Sequence, residues 1–407
     1  MVESVVRDRY GVDSAYAWRL AVVSVLCIVL GGGSIYLPVV ALKEIAAEFG
    51  DRRSVPSLAY MLGFVAMGFG GVMMGWLADR TSPRVPLLIA GLSIFAGGWI
   101  ATSGGELALY VGYILPLGFL GNSATFTPAM NNIQGWFVRR RSLAVSLVSV
   151  GPALSGFTWP QIYAWLLPEV GWRQSLVVYG AVSGTLMFLL ALYVRPSPLA
   201  RRGGQRARED HSALPMPSSA LMALLSAAGF CCCTAMAVPF VHMVAFCGDL
   251  GFGPARGSEA VSLILLSAVA STFAMGRLAD YVSPITVSLL CSAIQVVSLT
   301  GFLAVQGLLG LYTVSIIHGI PYIAIVQGYA LILRQLYGAT LASWRLGIVM
   351  LFAMAGMAVG GWLGGVIFDA TLSYRAAFQA ALAFNLLNLM LLGLLYLVQR
   401  RRVFSLR

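Results

Sequence analysis

The sequence predicts an all-α membrane protein whose twelve transmembrane helices form two pseudo-symmetric six-helix halves. Three observations carry the prediction. Of 407 residues, 59% are hydrophobic and 10% charged, against about 45–50% and about 25% in soluble domains; mean hydropathy is +0.85. A chain of this kind lacks the polar surface to coat a water-soluble globule of its size. Apolar runs of about 20 residues, the length that crosses a bilayer core, recur twelve times. Finally, GWLADRTSP at 75–83 returns as GRLADYVSP at 276–284, identical at six of nine positions. The same composition argues against a secreted enzyme, a nucleic-acid-binding module and a disordered scaffold.

Along the chain, the first 17 residues carry Glu3, Arg7, Asp8, Arg9 and Asp13. No basic stretch there leads into a short apolar core and a cleavage site, so no signal peptide is expected. Six spans follow at 18–42, 56–78, 85–103, 108–135, 142–167 and 174–194. Gly and Pro inside them are tolerated, because membrane helices re-satisfy the freed backbone groups. The long polar interruption RPSPLARRGGQRAREDHSALPMPS at 195–218 reads as a linker. Six further spans occupy 219–247, 258–278, 284–306, 310–333, 346–368 and 376–398. The domain reading is therefore an N-terminal half at 1–194, a cytoplasmic linker at 195–218 and a C-terminal half at 219–407.

Net charge is +11, from 26 basic and 15 acidic residues. With the N-terminus in the cytoplasm, only Lys43, Arg52, Arg53, Arg173, Arg256 and Arg375 fall on the opposite face. This is the positive-inside asymmetry, and it predicts both termini in the cytoplasm. The basic balance therefore reports topology rather than a nucleic-acid partner. Cys27, Cys231, Cys232, Cys233, Cys247 and Cys291 lie in or beside apolar runs without CxxC spacing. They read as small packing residues, and neither a disulfide framework nor a metal site is expected.

The duplication at constant offset implies two parallel six-helix halves, the construction of many secondary transporters. GWLADRTSPR at 75–84 resembles the loop signature of the major facilitator superfamily, between its second and third helices, with Ser82 and Pro83 departing from the usual glycine and basic residue. The resemblance implies a gating role for Asp79, Arg80 and Arg84, for Asp280 in the second copy, and for Arg140 in the Arg139–Arg141 turn. Asp79 at a helix end can cap a neighbouring helix and pair with an arginine such as Arg84. A static cap is the rival reading for Asp79 and Asp280.

Within that superfamily the chain is similar to the monocarboxylate transporter and oxalate–formate exchanger group. The matching stretches, in order, are IYLPVVALKEIAAEFG (35–50), WFVRRRSLAVSLVSVG (136–151), HMVAFCGDLGF (242–252) and GGVIFDATLSYRAAF (364–378). The departures are specific. The position of the group's eighth-helix arginine holds Thr272, Val39 stands after Pro38 where animal members have lysine, and 346–368 carries no charge. The deep cations that attract a monocarboxylate in the group are missing.

None of the acidic residues falls mid-span, and a proton-coupled carrier usually places an ionisable group in its pathway. His242 and His318 are the deep candidates, because histidine titrates near physiological pH. By the resemblance, the first, fourth, seventh and tenth helices face the cavity. That implies substrate contacts from Tyr36, Asn122, His242, His318, Tyr322 and Gln327, with Trp159 and Thr272 beside them. For every one of these, a structural interhelical hydrogen bond is the rival role. Asn131, Asn132 and Gln134 crowd the cytoplasmic end of the fourth span.

The expected function is secondary active transport of a small organic solute, a monocarboxylate, by alternating access, with proton coupling through histidine. An efflux carrier for amphipathic compounds and a non-transporting membrane sensor are the alternatives. No enzyme activity, cofactor or metal is expected, since paired intramembrane carboxylates, a His-rich set and a P-loop are all missing from the sequence. A monomer in membrane lipid, in a bacterial inner membrane, completes the expectation.

Overall fold

The computed structural model describes residues 11–198, 216–278, 281–337 and 342–405, apart from some side chains within them, those of Asp79 and Arg141 included. Most of the linker, and Asp280, lie outside the described residues. The chain packs into two compact units: residues 1–50 with 58–204, and residues 51–57 with 205–407.

Among the described residues, ten helical stretches are long and apolar enough to cross a membrane. One of them, Leu143–Tyr193, holds the fifth and sixth spans, separated at Gly171, whose φ of 73° and ψ of 171° no helix accommodates. The eighth span, Pro254–Leu278, keeps its charged residues Arg256, Glu259 and Arg277 near its ends. Twelve spans result. Val72, Trp165 and Leu309 are among large apolar side chains left exposed on them; a bilayer solvates such a surface as water does not.

Local chemistry explains the ends and the breaks. Ser14 caps the first span, Ala15–Val40, by accepting from the Ala17 N–H. Ser283 does the same for the ninth, Pro284–Ala304, whose leading proline needs no hydrogen-bond partner. A short helix, Leu42–Glu48, extends the first span beyond its expected end. The fourth span departs further from the expected single helix. It runs as α-helix Glu106–Gly112, π-helix Tyr113–Asn122 and α-helix Ser123–Gln134. Pro116 lies within the π segment; proline has no N–H to give the α ladder, and the wider π turn absorbs the lost bond. The tenth span divides at Ile323, just after Pro321, into Leu308–Tyr322 and Ala324–Tyr337.

In the first unit, the Gly31–Gly33 segment of span one lets three other spans approach its backbone. A Cβ on Gly33 would lie 2.6 Å from the Trp159 ring. The approach is held by side-chain donors aimed at span-one carbonyls. Trp159 Nε1 and Ser155 Oγ reach Val29 O at 2.7 and 3.0 Å, and Tyr179 reaches Leu30 O at 2.9 Å. Tyr163 reaches Gly33 O at 3.1 Å, and Tyr113 reaches Ser34 O at 3.2 Å.

In the second unit, span seven (Ser218–Asp249) lies against span eleven (Ala342–Thr371) through glycines four apart. Gly356 meets Phe230, Gly360 meets Thr234, and Gly364 meets His242 and Val238. Small residues at this spacing let backbones approach, which drives helix association where no hydrophobic effect operates between helices. A buried polar cluster ties span nine to spans ten and twelve (Tyr374–Ser405). Ser292 Oγ donates to Asn385 Oδ1 at 3.1 Å, Asn388 Nδ2 donates to Ser292 Oγ at 3.0 Å, and the Tyr329 hydroxyl donates to Asn388 Oδ1 at 2.9 Å.

Candidate functional site

The residues assigned from sequence fall into distinct environments. In the first unit, Asn122 closes the π segment of span four and is 7% exposed. Its Nδ2 has no hydrogen-bond partner among the described residues. A π turn rotates the residues after it relative to a regular helix, and such turns frequently mark functional positions. Trp159 and Tyr36 have structural partners instead. Trp159 donates to Val29 O, as above, and the Tyr36 hydroxyl donates to Pro152 O at 3.3 Å. Trp159, Tyr163 and Tyr179 form an aromatic cluster, with centroids 4.9 to 6.4 Å apart.

In the second unit, His242 is fully buried and both ring nitrogens are engaged. Nε2 lies 2.8 Å from Gly361 O, and Nδ1 lies 3.1 Å from the Tyr374 hydroxyl. A carbonyl only accepts, so Nε2 carries the hydrogen, and the neutral ring accepts at Nδ1 from Tyr374. His318 is equally buried. Its Nδ1 pairs with Ser298 Oγ at 2.9 Å, and Ser298 donates to Gln295 O at 2.9 Å. Nε2 of His318 has the Met236 backbone nearby but makes no hydrogen bond of ordinary geometry. Tyr322 lies edge-on to its ring at 6.2 Å and tilted against the Phe240 ring at 5.4 Å. Gln327 is exposed. The Thr272 hydroxyl bonds to its own helix, at Ala268 O, 2.7 Å away.

The gating candidates have these partners among the described residues. Arg84, expected to pair with a carboxylate, sends Nη2 to Leu192 O at 2.8 Å and Nε to Val194 O at 3.2 Å. Those carbonyls end the sixth span, where orphan acceptors need donors. Asn132 serves the same end, donating to Arg195 O at 3.0 Å. Arg80 lies over the Trp76 ring at 4.3 Å. Arg140 is exposed at the start of the Arg141–Ser149 helix. The side-chain contacts of Asp79, like Asp280 as a whole, lie outside what is described.

Sequence reasoning overlooked a cluster around Arg53, which belongs to the second unit. Its guanidinium forms a two-pronged ion pair with Asp249, at 2.6 and 2.9 Å. The carbon of that group sits 3.6 Å over the Phe368 ring centroid and 5.1 Å over that of Tyr374. The backbone N–H groups of Arg53 and Ser54 donate to the Asp369 carboxylate, each at 2.9 Å, so Asp369 caps the second span, Ser54–Arg80. Burial disfavours the Arg53 charge, but the bonds to Asp249 and Tyr374 outweigh it and raise its pKa. The sequence signal was present only as charges at three span ends; nothing local pairs them. The Asn385/Asn388 cluster was more legible, as two amides three residues apart inside an apolar run.

Three comparisons with known proteins bear on these observations. The sequence model of the Major Facilitator Superfamily matches residues 22–343. Monocarboxylate transporter 13 of Bos taurus is 28% identical over 352 residues, spanning 84% of this chain and 80% of that protein. Monocarboxylate transporter 11 of Mus musculus is 27% identical over 406 residues, spanning 92% of this chain and 86% of that protein. Among solved structures, a mutant of the nucleoside transporter NupG superposes with a TM-score of 0.76 at 12% identity, over 94% of this chain and all of that one. That last likeness concerns the fold alone.

Proposed function

The chain belongs to the Major Facilitator Superfamily, and from that premise we propose that it carries a short monocarboxylate across a bacterial plasma membrane by alternating access. The observation that carries the substrate class is the Asn122 amide: a buried N–H donor without a partner among the described residues, at the end of a π turn. Leaving such a donor unpaired costs about 1–3 kcal/mol, and a carboxylate oxygen would satisfy it. The names of the relatives support the same class. Thr272 at the position of the group's arginine argues for a weakly held anion. Proton coupling through a histidine accounts for charge balance in a pathway whose deep titratable candidates are His242 and His318.

The test is counterflow in proteoliposomes. Unlabelled short monocarboxylates are loaded one at a time and labelled uptake is followed at about pH 6 and about pH 7.5, on either side of ordinary histidine titration. Saturable exchange for one of them, faster at the lower pH, is the expected result. A folded protein that exchanges none of the panel, yet lowers accumulation of an amphipathic dye, would replace this reading with efflux.

A further inference from the structure

His242 is linked to the Arg53 cluster by one side chain, Tyr374. The Tyr374 hydroxyl donates to Nδ1 of His242, and its ring lies under the Arg53 guanidinium. Arg53 in turn neutralises Asp249 and offers its backbone N–H to Asp369. Other charged groups stand near this end of the unit, the exposed Asp51 among them. Arg256 and Glu259 of span eight pair with each other at 2.9 Å, and the Tyr312 hydroxyl also bonds Glu259. Arg52 and Arg375 are exposed. A cleft of about 400 Å³ opens beside the cluster, lined by Asp249, Tyr374, Arg375, Ser373, Phe246 and Phe302 among others. Tyr374 thus stands between this cleft and His242.

We propose that Tyr374, Arg53, Asp249 and Asp369 position His242 as the proton-accepting group of this carrier, Arg53 and a charged His242 being alternative cations for the two carboxylates. While Arg53 is docked, its guanidinium neutralises Asp249, Asp369 accepts the backbone N–H groups of Arg53 and Ser54, and Tyr374 holds His242 neutral, with its hydrogen on Nε2. When the 51–57 segment withdraws, Asp249 and Asp369 lose their cation. A proton from water in the cleft then bonds to Nδ1 of His242, Nε2–H stays on Gly361 O, and Tyr374 turns its own hydrogen toward the carboxylates. One N–H bond forms, one hydronium proton is consumed, and the local charge is restored. The step ties proton uptake to undocking of one helix end, a device in which substrate need not touch the histidine. It deepens the proton-coupled reading above and rests on it.

The deciding experiment is a 15N-histidine spectrum of the full chain in lipid nanodiscs against pH, without any substrate. His211, His242 and His318 are the chain's three histidines, and His242→Gln identifies the relevant signal. Wild type is expected to show the neutral, Nε2-protonated ring. Arg53→Gln is expected to give about a tenfold larger charged fraction of His242 at a given pH, the effect of removing one nearby cation. Arg53→Lys keeps the wild-type fraction, and adding Asp369→Asn to Arg53→Gln lowers the fraction again. Tyr374→Phe, which keeps the ring packing and leaves Nε2–H on Gly361 O, is expected to raise the charged fraction of His242 at a given pH, because Nδ1 loses the donor that favours the neutral ring. Identical His242 titration in wild type and Arg53→Gln overturns the proposal, as does an unchanged His242 titration in Tyr374→Phe. If Arg53→Gln fails to fold, the Tyr374→Phe spectrum decides alone. The readout is independent of substrate: a barren counterflow panel with these shifts present would remove only the monocarboxylate, whereas exchange with unshifted His242 would remove only this coupling.

Discussion

Gly364 leaves the space that the His242 ring occupies: a Cβ at Gly364 would stand 2.6 Å from His242 Nε2. The same nitrogen is anchored 2.8 Å from Gly361 O, one turn away on the same helix. The imidazole is thus clamped between two glycines of span eleven, and neither its position nor its tautomer has slack. Gly364→Ala should push the ring off Gly361 and part the seventh and eleventh spans. Overpacking of this kind costs about 1–3 kcal/mol. A lowered thermal midpoint in detergent, together with loss of exchange, is the expected outcome. Full wild-type stability in Gly364→Ala would show that the two spans are not in the contact described.

Asn388 accepts from the Tyr329 hydroxyl and donates to Ser292. Asn388→Leu removes both partners at once inside an apolar surround. Interhelical hydrogen bonds of this type are worth about 0.6–2 kcal/mol each in membrane proteins, and the orphaned Tyr329 hydroxyl adds to the loss. A thermal melt should show clear destabilisation, and Tyr329→Phe in the same chain should recover part of it, because the orphan is then gone. Additive losses in the double variant would contradict the direct bond.

Asn122 offers a contrast, because its amide nitrogen has no hydrogen-bond partner to lose among the described residues. Asn122→Ala is expected to leave the melting temperature within the range of ordinary surface changes, about 0.5 kcal/mol, while weakening substrate binding. A lost charge-assisted hydrogen bond corresponds to about 1.5–3 kcal/mol, so the half-saturating concentration in counterflow should rise about tenfold or more. Destabilisation with unchanged saturation would assign Asn122 to helix packing.

Glu48, on the short helix after span one, is held by Arg173, which also bonds Thr102 O, and by Trp172 Nε1 at 2.8 Å. The Arg173 hydrogen bond, against a smaller opposing effect of burial and with help from Trp172, holds the Glu48 carboxyl below its usual range. A depressed carboxyl contributes stability that is present above the unfolded value of about 4.3 and is lost as pH falls through the folded one. Glu48 is 40% exposed, so solvent screens much of the pair. The expectation is a small extra loss of melting temperature below about pH 4 in wild type that Glu48→Gln does not show. Equal acid sensitivity in both proteins would remove Glu48 from the acid response.

The spans and the duplicated loop were legible because both signals are local. An apolar run of bilayer length needs no knowledge of its neighbours, and a repeat needs only the chain itself. Proline inside a span reads from sequence only as tolerated; the π turn around Pro116 and the division after Pro321 come from the structure. Arg84 was legible as a gating candidate by motif. Its acceptors among the described residues, the carbonyls of Leu192 and Val194, belong to a helix end more than 100 residues away, and backbone acceptors carry no sequence signature. Asn385 and Asn388, which sequence reasoning passed over, are polar residues in an apolar run, and nothing in their spacing points to Ser292 or Tyr329.

Composition and periodicity alone thus determined that this chain is a membrane protein of two repeated six-span halves, because the cost of placing side chains in hydrocarbon is set residue by residue. Only the tertiary structure decided which polar groups meet. A hydrogen bond needs atoms within about 3.2 Å, and Arg53, Asp249, Asp369, Tyr374 and His242 come to that neighbourhood from four separate helices. His242 read from sequence as a lone histidine deep in a span; the fold makes it the inner end of a charge cluster whose outer end is Arg53.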